Sequence, residues 1–168
     1  GSRISTFYDE PIHLVKGDGI WVWDSGGRRY LDCYNNVPHV GHCHPKVTEA
    51  IYKQSCQLNT HTRYLHEGIV RYLDKLTSTF LESISSAILT CTGSEANDLA
   101  LRMGEVMSGK TGVIATDHTY HGNTATVSQL SLTNSPRIGK KDNIRYVRAP
   151  DSYRPVGGKI GMKHGLAF

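Results

Sequence analysis

A short apolar run that meets a glycine turn and then an amphipathic helix is the feature that most constrains how this chain can fold. The run SAILTCT at residues 86–92 mixes apolar and β-branched residues, which is typical of a buried strand. The turn sequence GSE follows at residues 93–95, and apolar side chains then recur at helical spacing from Ala96 to Met107. The sequence therefore predicts a strand that leads directly into a helix.

Further apolar runs extend this pattern towards the carboxyl end. Residues 112–116 and 144–147 predict two more strands, and residues 122–132 predict a helix between them. The alternation of strands and helices favours an α/β fold, in which a mostly parallel sheet is flanked by helices. Residues 149–163 are rich in proline and glycine and indicate a loop.

The amino-terminal part predicts a small hairpin. Residues 3–19 show no regular pattern. Two β-prone runs at residues 20–23 and 29–32 flank the turn sequence DSGG, so we expect an antiparallel pair here.

Two helices are predicted after the hairpin. Pro45 suits the first turn of a helix over residues 45–58, because its missing N–H costs nothing there. Residues 59–66 are polar and indicate a loop, and apolar positions between Ile69 and Phe80 predict a second amphipathic helix.

Length and charge exclude some classes of protein. The chain has 168 residues, which is room for little more than one domain. No apolar run approaches the ~20 residues that span a bilayer, so we expect no membrane association. The net charge of +4 is scattered, without the basic stripe and interleaved aromatics of a nucleic-acid binder. A mild positive charge also suits an anionic small ligand.

Cysteine and histidine usage argues for a reducing cytoplasm and no metal. The four cysteines form no CxxC pair and are too few for a disulfide scaffold, so we expect free thiols. Clustered histidines, with Cys43 among them, could ligate a transition metal, but no HExxH motif is present. We therefore expect hydrogen-bonded loop histidines. The clustered histidines are His39, His42, His44, His61, His66, His118 and His121.

The predicted turn at Gly93 and Ser94 is a candidate phosphate site. The first N–H groups of a helix have no partner within the helix, and the helix dipole is positive there. A phosphate would be well received, with the Ser94 hydroxyl as a further donor. Ser94 could equally be an ordinary N-cap residue, and both interpretations stay open at this point.

A second phosphate motif is misleading. Residues 104–111, GEVMSGKT, fit the P-loop pattern GxxxxGK(S/T). A P-loop follows a strand and opens a helix, whereas these glycines close a predicted helix and precede a strand. We reject the nucleotide-binding interpretation and expect Gly109 to be a helix C-cap.

The sequence DHTYHG at residues 117–122 follows the second predicted strand. Ligands of parallel sheets bind at the carboxyl ends of the strands. An aromatic ring, an imidazole and a glycine at that edge could stack a planar ligand, or they could form a simple loop with a buried tyrosine.

Several segments together resemble one family, the class III pyridoxal-phosphate-dependent aminotransferases. The resemblance rests on the sequences GIWVWD, YLD and VGHCHP between residues 19 and 45, on TGSEANDLA at residues 92–100, and on YHGNT at residues 120–124. The sequence NNV at residues 35–37, with NTHTRYLH at 59–66, resembles the branch of alanine–glyoxylate aminotransferase 2 and the ethanolamine-phosphate and phosphohydroxylysine phospho-lyases.

The resemblance implies a fold-type I transferase that binds pyridoxal 5′-phosphate. Gly93 and Ser94 would bind the cofactor phosphate, Tyr120 would stack on its ring and His121 would lie behind the ring. Asn36 and Val37 would border the substrate pocket, and residues 62–64 would lie near the interface of a homodimer. Residues 1–60 would be an amino-terminal segment, and residues 61–168 the truncated start of the large cofactor-binding domain.

The resemblance also implies what to expect outside this sequence. The family's Schiff-base lysine and the acid that pairs with the pyridine nitrogen are expected beyond Phe168, and Lys159 and Lys163 match neither context. We therefore expect an inactive fragment of an aminotransferase that uses an amine or amino acid and a 2-oxo acid. A phospho-lyase of the same family and a non-catalytic binding module are the alternatives.

Overall fold

The computed structural model describes residues 8–35, 37–131, 142–151 and 153. Packing divides the chain into two compact units, Gly1–Gly68 and Ile69–Phe168. The predicted division near residue 60 stays a prediction, because a division by packing does not by itself define the limits of a cofactor-binding domain.

The first unit contains a three-stranded antiparallel sheet in the order β1 (Leu14–Asp18), β2 (Trp21–Asp24), β3 (Arg29–Leu31). The predicted hairpin is confirmed as the pairing of β2 with β3. Asp24 organises its turn, because its carboxylate accepts hydrogen bonds from the amides of Gly26 and Arg28 and from the Tyr30 hydroxyl.

The strand β1 was not predicted, and the expectation that residues 3–19 are irregular is wrong for this part. β1 is short, lies at the edge of the sheet, contains Gly17 and is interrupted by a register shift between Leu14 and Lys16. Its extended conformation comes from pairing with β2, and a run of five residues carries little pattern of its own.

The two predicted helices are confirmed as α1 (Pro45–Gln57) and α2 (Glu67–Thr77). A proline occupies the first turn of α1, as expected from its preset φ and missing N–H. Residues 58–66 between the helices form no helix or strand, which confirms the predicted loop.

The second unit contains α3 (Gly93–Ser108), β4 (Val113–Thr116), a 3₁₀ helix (Val127–Leu130) and β5 (Ile144–Val147). β4 and β5 pair in parallel, so the predicted parallel arrangement is confirmed for these two strands. A small core at this sheet joins the 3₁₀ helix to both strands. Its buried members are Ala115, Leu130 and Ile144, with Leu101, Val113 and Tyr146 packed against them.

Two predictions for this unit are wrong. Residues 86–92 form no strand: Ile88 is 63% exposed and Leu89 is 50% exposed, because no strand of the described residues pairs with them. The helix predicted over residues 122–132 is, within the described residues, a single 3₁₀ turn at Val127–Leu130. The Thr124 hydroxyl donates to Asp98 Oδ1 and accepts from the Val127 amide, and these bonds take the place of a longer helix. Most of the predicted loop at 149–163 lies outside the described residues.

Candidate functional site

The amino-terminal end of α3 is capped by Thr92. Thr92 Oγ1 accepts a hydrogen bond from the Glu95 amide at 3.1 Å, and Glu95 Oε2 accepts one from the Thr92 amide at 3.0 Å. In this reciprocal capping box, Thr92 and Glu95 supply both N-cap hydrogen bonds, and Ser94 takes no part. The interpretation of Ser94 as the N-cap is therefore wrong. The spacing Thr-x-x-Glu in the sequence is the signal that could have identified the true cap.

The capping box leaves two donors at the helix start. Among the described residues, the amides of Gly93 and Ser94 donate to no carbonyl and no side chain. Ser94 Oγ accepts a hydrogen bond from the Asn123 amide at 3.0 Å, so the hydroxyl proton of Ser94 is still available. A Cβ built on Gly93 would meet no atom within 4 Å, so the space beside these donors is open. The arrangement can receive an anion.

The segment after β4 is held by its own hydrogen bonds. Thr119 Oγ1 donates to the Thr116 carbonyl at 2.7 Å and lies 2.9 Å from His121 Nε2, so the imidazole is fixed beside the strand end. Asp117 accepts a hydrogen bond from the Ala149 amide at 2.9 Å. This bond is the main cause, and the hydrogen bond with His118 the second cause, of a pKa below the ordinary value for this carboxyl. The strand end is therefore a fixed platform.

Tyr120 projects from this platform. Its side chain is 60% exposed, so the interpretation of this residue as a buried loop tyrosine is wrong. This exposed aromatic face, next to the fixed imidazole of His121, is available for a planar ligand.

A set of hydrogen bonds, here called the α3 clasp, joins this segment to the first turns of α3. Each bond links a side chain of α3 to a group 24–29 residues further along the chain. The pairs are Ser94 with Asn123, Asn97 with His121, and Asp98 with Thr124. The predicted phosphate donors and the predicted ring-stacking residue therefore belong to neighbouring parts of one unit.

Gly122 allows the two segments to approach. Its φ is +136°, and a Cβ there would lie 2.6 Å from Ser94 Oγ. Any other residue would both strain the backbone and displace the start of α3. This constraint has no local signal in the sequence, and of the clasp partners only Ser94 and His121 were predicted as site residues.

The predicted substrate-pocket residues lie in the first unit. Asn36 lies outside the described residues, and Val37 is 87% exposed. The two described residues before them are fixed by Asp32, which accepts hydrogen bonds from the amides of Tyr34 and Asn35. Asp32 also contacts His42 Nε2 through Oδ2 at 2.6 Å. These interactions, first of all the Asn35 amide, hold the pKa of Asp32 well below its ordinary value.

The expectation of hydrogen-bonded loop histidines is met by some of them and is wrong for His44, whose ring Nδ1 is buried without a hydrogen-bond partner among the described residues. His61 and His66 accept hydrogen bonds from nearby amides through Nδ1, and His121 contacts a threonine. In the ranges that the structure describes, no group of three or more histidine, cysteine or acidic side chains is arranged to hold a metal ion.

Gly109 ends α3 with a φ of +67°, which confirms the predicted C-cap and the rejection of the P-loop. No helix among the described residues is both long and apolar enough to cross a bilayer.

Comparison with known proteins assigns the family. The model of the aminotransferase class-III family matches residues 5–153. A Drosophila melanogaster protein named alanine–glyoxylate aminotransferase 2-like is 40% identical over 167 residues, which are 97% of this chain and 33% of that protein. A Caenorhabditis elegans protein named ethanolamine-phosphate phospho-lyase homolog 1 is 33% identical over 158 residues, which are 92% of this chain and 34% of that protein.

Solved structures agree with this assignment. A phospholyase from Arthrobacter in complex with phosphoethanolamine is 43% identical, with a TM-score of 0.85 over 89% of this chain and 35% of that chain. The ornithine aminotransferase from Toxoplasma gondii is 23% identical, with a TM-score of 0.71 over 90% of this chain and 39% of that chain, and shows the shared fold.

These matches define a class of protein, the fold-type I transferases that use pyridoxal phosphate. Within that class, the chain belongs to the class III aminotransferase family. The resemblance to the branch with aminotransferase 2 and phospho-lyase relatives is confirmed as well. The chain spans about a third of the length of these relatives.

Pyridoxal 5′-phosphate is the cofactor of this family, and the residues at the start of α3 fit it. Two unpaired amides, a hydroxyl proton and the positive end of the helix dipole suit a phosphate group. The exposed face of Tyr120 suits an aromatic ring.

Proposed function

We propose that this chain is the cofactor-binding part of a pyridoxal-phosphate-dependent aminotransferase, which transfers an amino group from an amine or amino acid to a 2-oxo acid. The observation that carries the proposal is the start of α3, where two amides without partners lie next to the segment that bears Tyr120. Family membership supports the reaction class.

Each candidate site residue has a proposed role. Gly93 and Ser94 bind the cofactor phosphate through their amides and the serine hydroxyl, and Tyr120 stacks on the ring. His121, whose Nε2 is fixed by Thr119, lies behind the ring and limits its movement. When bound, the cofactor supplies an electron-accepting ring for reactions at the carbon that bears the substrate amine. Asn36 and Val37 are proposed to border the substrate.

A phospho-lyase is the second candidate function. It is favoured by the 43% identity to the Arthrobacter phospholyase, whose structure contains phosphoethanolamine. A lyase of this kind would release inorganic phosphate from a phosphorylated amine, whereas an aminotransferase would convert a 2-oxo acid to an amino acid.

The isolated 168-residue chain is proposed to be an inactive fragment that contains neither the Schiff-base lysine nor the acid for the pyridine nitrogen. Its length, about a third of its relatives, supports this. We also retain the proposals of a homodimer with residues 62–64 near its interface and of a cytoplasmic location. The four cysteines are free, which is consistent with a reducing compartment.

A non-catalytic module remains the alternative to the fragment. In that case an aminotransferase-like unit of this length would bind a ligand or a partner without turnover. A reading frame that continues through the lysine and the acid would support the enzyme, whereas a stop codon after Phe168 would support the module.

Product analysis of the complete protein that contains this chain tests the reaction. The protein, loaded with pyridoxal phosphate, would be incubated with alanine and glyoxylate, and separately with phosphoethanolamine. Formation of glycine and pyruvate without phosphate release supports the aminotransferase. Stoichiometric phosphate release supports the phospho-lyase instead. Cofactor binding without either reaction supports the non-catalytic module.

A further inference from the structure

We propose that Asn97 and Asp98 are positioning residues, which hold the segment bearing Tyr120 in register with the phosphate-binding end of α3. The inference rests on the proposed function, because it concerns how the two ends of one cofactor are aligned. Neither residue would touch the cofactor.

The spacing of the α3 clasp carries the inference. Asn97 and Asp98 follow Ser94 by three and four residues, which places the three side chains on one face of α3. Asn97 Nδ2 donates to the His121 carbonyl at 2.7 Å, directly after Tyr120. The Thr124 hydroxyl donates to Asp98 Oδ1 at 3.0 Å, which fixes the far end of the segment.

The segment is also held on its other side. The His121 amide donates to Ser131 Oγ at 3.1 Å, and Ser131 is buried. This bond to the residue after the 3₁₀ helix, with the bond from Thr119 Oγ1 to the Thr116 carbonyl of β4, fixes the position of the segment relative to β4. The clasp fixes its position along α3. Because stacking depends on the offset between two rings, a shift of this segment along α3 would misplace Tyr120 relative to the phosphate donors.

Asn97 is suited to a test of this bond because its side chain contributes little else to the structure. Its side chain is exposed within α3, so replacement by alanine removes no core packing and favours the helix. Asp98 has two partners, since its Oδ2 also lies 3.3 Å from Arg102 Nε. Asp98→Asn keeps an oxygen that can accept the Thr124 hydrogen bond, whereas Asp98→Ala loses it.

A matched control exists at the opposite end of the unit. Asn143 Nδ2 donates to the Thr111 carbonyl at 2.6 Å, across 32 residues of sequence. This is the same type of long-range bond from an amide side chain to a backbone carbonyl, but it lies away from the Tyr120 segment. Asn143→Ala therefore reports the general cost of losing such a bond.

The experiment measures the dissociation constants of pyridoxal phosphate and of inorganic phosphate for the complete protein and its variants. Asn97→Ala and Asp98→Ala should each weaken pyridoxal phosphate about two- to tenfold, the effect of one hydrogen bond, and leave inorganic phosphate unchanged. The induced circular dichroism of the bound cofactor should change in both. Asp98→Asn and Asn143→Ala should behave like the wild type.

The contrary outcomes are distinct. Equal weakening of both ligands by Asn97→Ala, or weakening of pyridoxal phosphate by Asn143→Ala, would show general damage and overturn the positioning role. If Asn97→Ala leaves the affinity for pyridoxal phosphate unchanged while Ser94→Ala weakens it, the positioning role is overturned but the proposed function stands. Pyridoxal-phosphate binding that is unchanged in Ser94→Ala as well would remove the proposed site itself.

Discussion

Ser94 and Gly122 are in such close contact that only a glycine fits at position 122. A Cβ there would lie 2.6 Å from Ser94 Oγ and 2.8 Å from Ser94 Cα, and the backbone φ of +136° is unfavourable for other residues. This contact brings the Asn123 amide to within 3.0 Å of Ser94 Oγ. The start of α3 and the segment bearing Tyr120 are thereby built as one structure.

Gly122→Ala should lower the free energy of unfolding by about 1–3 kcal/mol, because it combines a strained backbone with a steric clash. Urea denaturation of the purified chain measures the change. Gly104→Ala is the matched control, since Gly104 lies within α3 and a Cβ there meets no atom within 4 Å. That variant should be more stable by about 0.5–1 kcal/mol. Equal effects of the two substitutions would contradict the contact.

Substitutions of Tyr120 should separate its ring from its hydroxyl. If the ring face binds the cofactor, Tyr120→Phe should weaken pyridoxal-phosphate binding only slightly, and Tyr120→Ala should weaken it severely. The exposure of the side chain means that neither change removes core packing. Fluorescence titration of the complete protein gives both affinities. A large loss of affinity in Tyr120→Phe with a small loss in Tyr120→Ala would show that the hydroxyl is the important group.

Acid should destabilise the first unit through Asp32. Its carboxylate is only 7% exposed and accepts hydrogen bonds from amides and from His42, so its folded pKa lies below the unfolded value of about 4. A lowered pKa contributes stability that is present above about pH 4 and is lost as the pH falls through the folded pKa. The urea concentration at the unfolding midpoint should therefore decrease when the pH is lowered below about 4. In Asp32→Asn this decrease with pH should be smaller. A fall of the same steepness in both proteins would count against this role.

The sequence predicted what depends on neighbouring residues and missed what depends on distant ones. A helix that follows the turn sequence at residues 93–95, the C-cap at Gly109 and the hairpin were predicted, since each is determined within a few residues. The strand at residues 86–92 was predicted wrongly, because a strand requires a partner that the described residues do not provide.

The α3 clasp shows the same limit at the candidate site. Residue types at positions 92–95 and 120–122 indicated phosphate donors and a stacking ring, and the structure places these segments side by side. The pairing of Asn97 with His121 spans 24 residues, and no local pattern specifies such a partner. The capping box of Thr92 and Glu95 is different, because its spacing was visible in the sequence.

The isolated chain should bind no cofactor covalently and should self-associate. Without the lysine and the acid, borohydride treatment with pyridoxal phosphate should trap no stoichiometric adduct at a single lysine, as checked by peptide mass spectrometry. Exposed apolar residues such as Ile88, Leu89 and Ile114 should make the chain elute as a species larger than a compact monomer. A stoichiometric adduct at Lys159 or Lys163, with turnover of an amino acid, would overturn the fragment proposal.

The affinity of the complete protein for pyridoxal phosphate, compared between the wild type and Ser94→Ala, tests the central claim most directly. Ser108→Ala, which removes a hydroxyl at the other end of α3, is the control and should bind as the wild type does. If the Ser94 hydroxyl donates to the cofactor phosphate, Ser94→Ala should weaken binding by about 1–3 kcal/mol, the range for a hydrogen bond to a charged group. An affinity unchanged from the wild type would contradict the phosphate site at the start of α3.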